Sequence, residues 1–450
     1  MVIDGSSYDA ALNEFHKKFK DKTGNTWADR ATGPMKAKKY VFVEKSYEDS
    51  DSEGDDDLPG ADKRTKKPKT EVEEDAEDEV VIESKLPEAV QQLMKLIFNQ
   101  DNFNATFDAF DYDAKKMPLG KLSKSSLMRG YEVLKTLSSL VGGAPGDQAQ
   151  IEQLSNNYLS LIPHVVPRSQ RPPKLDHIDK IKKEIELLEA LTDMQLANDL
   201  MKNAKKGKER AEEINLLDRQ FEGLGMAEMT PVDKQTTEFE ELEKYLVRSV
   251  GHTHGTRYKV QDIFRMERSG ETDRFDKSDY AKIKNKNRRL LWHGSRTTNY
   301  GGILSQGLRI APPEAPVSGY MFGKGVYLAD MSSKSANYCA SHSSGGTGLL
   351  LLCEAELGEP PLKLTNADYN AGERAKDQKL LSTWGVGRTA PQAWKDASVV
   401  HPSLKGIIMP DVVTTKPGHT KEPGAYLEYN EYICYDIAQI KLRYLFRVQM

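Results

Sequence analysis

The stretch NRRLLWHGSRTTNYGGILSQGLRI, residues 287–310, decides how the second half of this chain is interpreted. Its apolar run LLW (290–292) is typical of a buried strand, and the strand ends abruptly in HGSR (293–296). The exit of the strand therefore carries an imidazole, a bare backbone and a hydroxyl in succession. Such an exit is either an ordinary polar turn or the rim of a pocket, and the rest of the chain must distinguish the two.

The bulk composition limits the classes of protein that fit. The length of 450 residues predicts two to four structural units, and 64 basic against 68 acidic residues give a net charge of −4. The three cysteines lack paired or Cys/His ligand spacing, so we expect no disulfide framework, no structural zinc and a reducing intracellular compartment. No run reaches the about 18–20 apolar residues of a membrane span, and no signal-peptide core is present. The sequence predicts a soluble intracellular protein without a membrane partner.

The first 84 residues change sharply in composition. Residues 1–45 look like the final part of a small domain, with strand-like KYVFVE (39–44) after an amphipathic helix whose apolar residues are Tyr8, Ala11, Leu12, Phe15 and Phe19. Residues 46–84 carry 16 acidic and 5 basic residues with scarcely any apolar content, which predicts a disordered linker. Its cluster KRTKKPK (63–69) is typical of a nuclear localisation signal or a nucleic-acid contact, the alternative being a charge-balancing patch.

Residues 85–222 have the pattern of a helix bundle. The segment SKLPEAVQQLMKLIFN (84–99) repeats its apolar residues with a helical period. Ser123 is the predicted N-cap of a helix that ends before Gly142. A long helix is predicted over 176–202, with an apolar stripe formed by Ile178, Ile181, Ile185 and Leu188.

Residues 223–450 alternate short β-branched and aromatic runs with loops rich in glycine and proline. Clear examples are GVYLAD (325–330), LLLLCEAEL (349–357), KGIIMPD (405–411), NEYICYD (430–436) and LRYLFRV (442–448). This half is therefore predicted to be β-rich. The fold class of the whole chain is α+β, an all-helical bundle followed by a β-rich domain.

Standard motifs for nucleotide, hydrolase and metal chemistry are missing from the sequence. GGTG (345–348) precedes a strand, whereas a Rossmann turn needs the strand first, and FGKG (322–325) lacks the spacing of a P-loop. No Gly-x-Ser-x-Gly elbow occurs, and no histidines pair at ligand spacing. A nucleotide site in this chain would have to be built in another way, and no metal is expected.

Three segments remain as candidates for chemistry: WHGSR (292–296), GYMFGKGVYLADMSSKSANYC (319–339) and YLEYNEYICYD (426–436). In the third, Glu431 interrupts a predicted strand and shares a face with Tyr429 and Ile433. A carboxylate among aromatic residues is costly to bury unless it is paired or used. The alternative is an exposed carboxylate at a sheet edge.

In this order, the three segments resemble the His-Tyr-Glu signature of the poly(ADP-ribose) polymerases, ADP-ribosyltransferases that consume NAD. SKLPEAVQQLMKLIF (84–98), KKMPLGKLSK (115–124) and LSNNYLSLIPH (154–164) are similar to the helical regulatory domain of that family. The attached helical domain resembles the nuclear, DNA-damage-dependent branch. Residues 1–45 resemble the second half of the Trp-Gly-Arg domain of this branch without the tripeptide itself, which weakens the expectation of DNA binding.

The resemblance implies a domain order and a role for each residue of the pocket. The order is a partial Trp-Gly-Arg domain (1–45), the linker (46–84), the regulatory domain (85–222) and the ADP-ribosyltransferase domain (223–450). The backbone of Gly294 would bond the nicotinamide carboxamide, where a side chain would obstruct the approach. The other implied roles are a hydroxyl of the carboxamide clamp for Ser335, the two walls of the nicotinamide site for Tyr338 and Tyr327, a ribose contact for His293, and the adenosine side for Ser295, Asn299 and Arg309.

The resemblance also implies the catalytic chemistry. Nicotinamide leaves NAD as a neutral group, so its glycosidic bond needs no general acid, and the transition state is oxocarbenium-like. Glu431 is expected to stabilise the developing positive charge and to orient the attacking hydroxyl, with His293 and Tyr327 completing the catalytic set. Lys334 and Met321 resemble residues of the acceptor region that supports chain elongation.

The long helix of the regulatory domain presents a row of acids: Glu186, Glu189 and Asp193 lie at i, i+3 and i+7 on one face. A solvated acidic face is one interpretation. The resemblance implies the other, in which these residues face the NAD site and belong to an autoinhibitory bundle that DNA binding loosens.

The expected function is synthesis of poly(ADP-ribose) in the nucleus, with NAD as co-substrate, protein acceptors that include the chain itself, and damaged DNA as a further partner. Mono-ADP-ribosyl transfer is an alternative, against which Glu431 argues. An inactive NAD-binding or DNA-binding scaffold is another.

Overall fold

The computed structural model describes residues 7–46, 82–141, 148–205 and 214–450. Nearly all of the predicted linker, including the basic cluster at 63–69, lies outside these residues, as does Gly142.

The N-terminal segment forms one helix, α1 (Tyr8–Thr23), whose apolar face packs edge-on against Trp27 and Phe42. The predicted strand at 39–44 is wrong, since the segment is extended but unpaired apart from a single bridge between Lys45 and Leu122. Its carbonyls instead bond side chains of the helical region: Arg129 Nη1 donates to Phe42 O at 2.8 Å. Among the described residues, these side chains of the helical region take the place of a partner strand.

The helical region contains α2 (Glu88–Ile97), α3 (Gln100–Ala109), α4 (Lys124–Val141), α5 (Gln148–Leu161), α6 (Ile178–Lys205) and α7 (Leu216–Leu224). Ser123 caps α4 as predicted, because its hydroxyl accepts the Ser126 N–H at 3.1 Å. The stripe of α6 is buried through Ile181, Ile185 and Leu188, and it forms the centre of the bundle.

The second half is rich in short strands. They are β1 (Met226–Pro231), β2 (Lys259–Arg268), β3 (Arg288–Ser295), β4 (Val326–Leu328), β5 (Thr347–Glu356), β6 (Leu362–Leu364), β7 (Ser382–Gly385), β8 (Gly387–Ala390), β9 (Trp394–Asp396), β10 (Ile408–Pro410), β11 (Gly418–His419), β12 (Leu427–Tyr429), β13 (Glu431–Cys434) and β14 (Ile440–Gln449). Helices between them are α8 (Thr237–Arg248), α9 (Glu271–Lys277), α10 (Tyr300–Gln306), α11 (Ser332–Ala336) and α12 (Ala371–Asp377). The predicted α+β fold class is confirmed.

Three sheets position the site. A seven-stranded sheet has the order β1-β2-β14-β5-β3-β10-β9, a four-stranded sheet the order β4-β13-β7-β6, and a three-stranded sheet the order β11-β8-β12. A bridge between Trp292, in the middle of β3, and Ala329, the residue after β4, has hydrogen bonds of 2.7 and 2.9 Å. The strand does not end before His293 as predicted, because His293, Gly294 and Ser295 continue to pair with β5.

The run YLEYNEYICYD does not form one strand as predicted. It divides at Asn430 into β12, which pairs with β8, and β13, which pairs with β4 and β7. Asn430 Oδ1 accepts the Gly387 N–H at 2.8 Å, so the side chain takes the place of a ladder bond at the break. Within the described ranges, no helix has the length and apolar character to cross a membrane.

Candidate active site

Gly294 lies where β3 meets α11 at backbone distance. A side-chain carbon at Gly294 would overlap the Ser335 carbonyl oxygen. Ser335 is buried, and its Oγ donates to the Trp292 carbonyl at 3.0 Å. Glycine is therefore required here by the protein's own packing.

His293 and Tyr327 are held by backbone partners. His293 Nδ1 lies 3.0 Å from the Tyr327 carbonyl, which makes it the donor and leaves Nε2 as an acceptor. Burial lowers the pKa of His293, which favours this neutral form. The Tyr327 hydroxyl accepts the Phe322 N–H at 2.9 Å and donates to Gly323 O at 2.7 Å, so its ring cannot swing freely.

Tyr338 differs from the other aromatic residues of the site in its exposure. It lies in the short turn Asn337–Cys339 after α11, and 60% of its surface is open to solvent. The neighbouring Tyr327 is half-buried. An exposed ring beside a fixed one suits a site that binds a flat heterocycle between them.

Glu431 is the first residue of β13 and is only 8% exposed, which excludes the exposed-edge alternative. Its Oε1 lies 2.7 Å from Lys334 Nζ, on α11. Its Oε2 is buried and has no hydrogen-bond partner among the described residues. A buried carboxylate oxygen left unpaired is costly, which is typical of a group that waits for a ligand.

Several buried polar atoms near the predicted adenosine side have no partner among the described residues. Asn299 Nδ2 donates to Ser295 Oγ at 2.9 Å. Asn299 Oδ1, Arg296 Nη1 and Thr297 Oγ1 are buried and have no partner in the described part of the chain. Two of the three predicted residues of this side, Ser295 and Asn299, are thus together. Met321 does not belong to this group and is partly buried against the apolar cluster around Phe322.

The third adenosine-side residue, Arg309, pairs with Asp193 of α6. On the same helix, Glu189 Oε1 accepts the Tyr320 hydroxyl at 2.5 Å. Burial, against the opposing charge of Arg309, raises the pKa of both acidic side chains to about 7. Glu186 is exposed, but its charge acts on Arg296 and Tyr338 of the catalytic half, so all three acids of the predicted face lie toward that half.

Helix α6 packs closely against the catalytic half at positions where the residues are small. A side-chain carbon at Gly301 would lie 2.5 Å from Ala197 Cβ, and one at Gly302 would overlap Asp193. The long helix therefore packs against α10, next to the residues predicted for the adenosine side. The solvated-face interpretation is wrong for Asp193, which is buried.

Several residues of the site were missed by the sequence reasoning. Tyr320 and Arg296 contact the helical region, the first through Glu189 and the second through the ring of Phe110, 4.6 Å from the guanidinium carbon. Asn430 and Tyr432, on either side of Glu431, both donate to Asp330. The only signal for this last pair was its alternation with Glu431 along the strand.

Comparison with known proteins identifies both halves of the chain. The family described as the poly(ADP-ribose) polymerase catalytic domain matches residues 236–450, and the poly(ADP-ribose) polymerase regulatory domain matches residues 84–221. Neither match includes residues 1–45, so the partial Trp-Gly-Arg domain stays a prediction.

Relatives extend over nearly the whole chain. Poly [ADP-ribose] polymerase 2 of Zea mays is 38% identical over 98% of this chain and 62% of its own length. Poly [ADP-ribose] polymerase 2 of Arabidopsis thaliana is 38% identical over 99% of this chain and 66% of its own. That of Homo sapiens is 36% identical over 100% of this chain and 71% of its own. The chain thus spans about two thirds of the length of these relatives.

Proposed function

The chain belongs to the poly(ADP-ribose) polymerase family, and from this membership and the geometry of the site we propose that it transfers ADP-ribose from NAD to proteins and extends the chain. The acceptors include the protein itself. The single observation that carries this function is Glu431, whose buried Oε2 has no partner among the described residues. That oxygen is free to receive a hydroxyl or to face a developing positive charge.

The nicotinamide end of NAD is proposed to bind at the exit of β3. The backbone of Gly294 and the hydroxyl of Ser335 would hold the carboxamide, between the rings of Tyr327 and Tyr338. Neutral His293, with Nε2 as an acceptor, would take a hydrogen bond from a ribose hydroxyl. The contact between Gly294 and the Ser335 carbonyl supports this assignment, because it brings both halves of the clamp together.

In the proposed reaction, the bond between the ribose carbon and the nicotinamide nitrogen breaks, and its electron pair leaves with nicotinamide. Nicotinamide was cationic in NAD and departs neutral, so no acid is required. The acceptor oxygen then forms the new bond to the ribose carbon, and its proton passes to Glu431 or to solvent. Glu431 stabilises the oxocarbenium-like transition state, as carboxylates do in glycoside hydrolysis.

Chain elongation is proposed to use the side of Glu431 that faces α11. Lys334 is already paired with Glu431 Oε1 and orients the carboxylate while bringing a positive charge to the acceptor region. An incoming ADP-ribose end carries a diphosphate, which a lysine suits. Met321 would line this region on its apolar side.

The helical region is proposed to restrain the enzyme in its resting state. Arg309 and the small residues of α10 are occupied by α6, so adenosine binding and helix docking compete for one surface. Damaged DNA would favour the undocked state only if it binds that state more tightly. A nuclear location and DNA as partner follow from membership of this branch and remain proposals.

Automodification with labelled NAD, with and without nicked DNA, tests the function. A ladder of high molecular weight is expected, and its increase with DNA would support the restraint. A single discrete shift would instead mean mono-ADP-ribosyl transfer. No label in either condition, from protein that binds NAD, would indicate an inactive pocket.

A further inference from the structure

A buried hydrogen-bond network lies behind the strand that carries Glu431. Asp330 is completely buried, and its Oδ2 accepts from Asn430 Nδ2 at 2.7 Å and from Tyr432 Oη at 3.0 Å. The Tyr432 hydroxyl in turn accepts from Arg289 Nη1 at 2.9 Å. The residues immediately before and after Glu431 are therefore tied to one carboxylate oxygen.

These two hydrogen bonds define the direction in which the Glu431 side chain points. Side chains at i−1 and i+1 of an extended segment lie on one face, and the side chain at i lies on the other. Holding Asn430 and Tyr432 on the rear face prevents the strand from rotating about its axis. Glu431 then projects forward, where its Oε1 meets Lys334 at 2.7 Å.

Asp330 also belongs to the segment that forms the front of the site. It follows Ala329, which bridges Trp292 next to His293, and it precedes α11 with Lys334 and Ser335. The same short segment thus contacts Glu431 from the front through Lys334 and holds its neighbours from the rear through Asp330.

We propose that Asp330 is a positioning residue for Glu431: through Asn430 and Tyr432 it orients the carboxylate toward the reacting ribose. This inference rests on the proposed role of Glu431. The arrangement is costly by itself, which argues against a role in packing alone. Asp330 Oδ1 is buried without a partner in the described ranges, and the positive charge of Arg289 is connected to Asp330 through the Tyr432 hydroxyl.

Burial raises the pKa of Asp330, while the bonds from Asn430 and Tyr432 and the charge of Arg289 oppose the shift. Replacing a buried charged group by a well-packed apolar residue is often neutral or stabilising, so packing alone does not call for a carboxylate here. Three hydrogen bonds, from Asn430 and Tyr432 to Asp330 and from Arg289 to Tyr432, hold the backbone on both sides of Glu431. This arrangement indicates that Asp330 serves the orientation of Glu431.

The test uses the full chain and measures nicotinamide release from NAD in Asp330→Ala, Glu431→Gln and the double variant. Loss of the hydrogen bonds to Asp330 should lower kcat by about tenfold or more with little change in KM. The reason is that a misplacement of a catalytic group by about 1 Å can lower the rate by about 10²-fold. In the Glu431→Gln background the same substitution should have almost no further effect. An equal loss in both backgrounds would overturn the proposal, since it would show general damage to the domain.

Two further variants keep the test decisive. Tyr432→Phe removes a single oxygen and should fold even if Asp330→Ala does not; an unchanged kcat in this variant would refute the proposal. Asp330→Asn retains an acceptor oxygen for the hydrogen bonds from Asn430 and Tyr432 and should keep most of the activity. Glu271→Ala is the matched control, since Glu271 is a buried carboxylate (3% exposed) that bonds Arg268 and the Leu442 N–H away from Glu431.

The outcomes also separate this inference from the proposed function. If Glu431→Gln leaves nicotinamide release unchanged, the role of Glu431 itself fails. If Glu431→Gln lowers the rate and Asp330→Ala does not, only the positioning role of Asp330 fails.

Discussion

Lys334 Nζ lies 2.7 Å from Glu431 Oε1, while the second oxygen of the same carboxylate is buried without a partner in the described part of the chain. One oxygen of Glu431 is therefore anchored and the other is available. This asymmetry suits a carboxylate that must hold its direction and still receive a ligand.

Glu431→Gln should lower nicotinamide release by roughly 10²–10³, the usual cost of removing an electrostatic contact to a transition state. A neutral amide cannot stabilise the positive charge that develops on the ribose. Release from labelled NAD measures the effect, and binding of a non-hydrolysable NAD analogue should change little. Glu428→Gln is the control, because Glu428 lies three residues earlier and bonds Thr389 instead. Equal losses in both variants would contradict the role of Glu431.

Gly294→Ala should abolish binding at the proposed nicotinamide site. The added carbon would overlap the backbone of Ser335, which cannot withdraw as a flexible side chain could. Binding of a nicotinamide analogue and the melting temperature measure the effect. Gly424→Ala, at a position where an added carbon meets nothing within 4 Å, should retain both. Full binding by Gly294→Ala would show that the close contact between β3 and α11 is not required.

Ala197→Leu should raise the activity measured without DNA. Ala197 is completely buried against Gly301, so a larger side chain forces α6 away from α10 and opens the adenosine side. Automodification without DNA measures the change. Asn203→Leu, on an exposed position of the same helix, should behave like the parent chain. An unchanged rate in a folded Ala197→Leu protein would indicate that α6 does not restrain the enzyme.

The contact between α6 and the catalytic half should weaken as the pH rises through 7. The pKa of Glu189 in the docked state is about 7, above its ordinary value of 4.5, so the docked state binds more protons in this window. Protonated Glu189 therefore stabilises the docked state fully below pH 4.5, and this stabilisation is lost as the pH rises through 7. Melting temperatures between pH 5 and 8 should fall more steeply for the parent chain than for Glu189→Gln. Glu152→Gln, an exposed change in α5, should follow the parent; identical curves for all three would refute the prediction.

Much of this architecture could be predicted because it depends on local pattern. The apolar period of α6, the cap at Ser123 and the alternating runs of the second half follow from the repeat of helix and strand. The candidate residues of the pocket came from motifs that resemble a family, and the structure brings Gly294, Ser335, His293 and Tyr327 together. The strand predicted at 39–44 failed because a β-branched run does not specify a partner strand.

The order of a helical and a β-rich half, and the faces that each element must bury, could be predicted from the amino-acid pattern. The residues that cover those faces are known only from the packed fold: Asp193 meets Arg309 across 116 positions of the chain, and Asp330 meets Asn430 across 100. A hydrophobic period indicates that a face is buried, but it does not specify the partner of that face. Buried polar groups, in contrast, need particular partners at particular distances, and those distances exist only once the sheets and helices have packed.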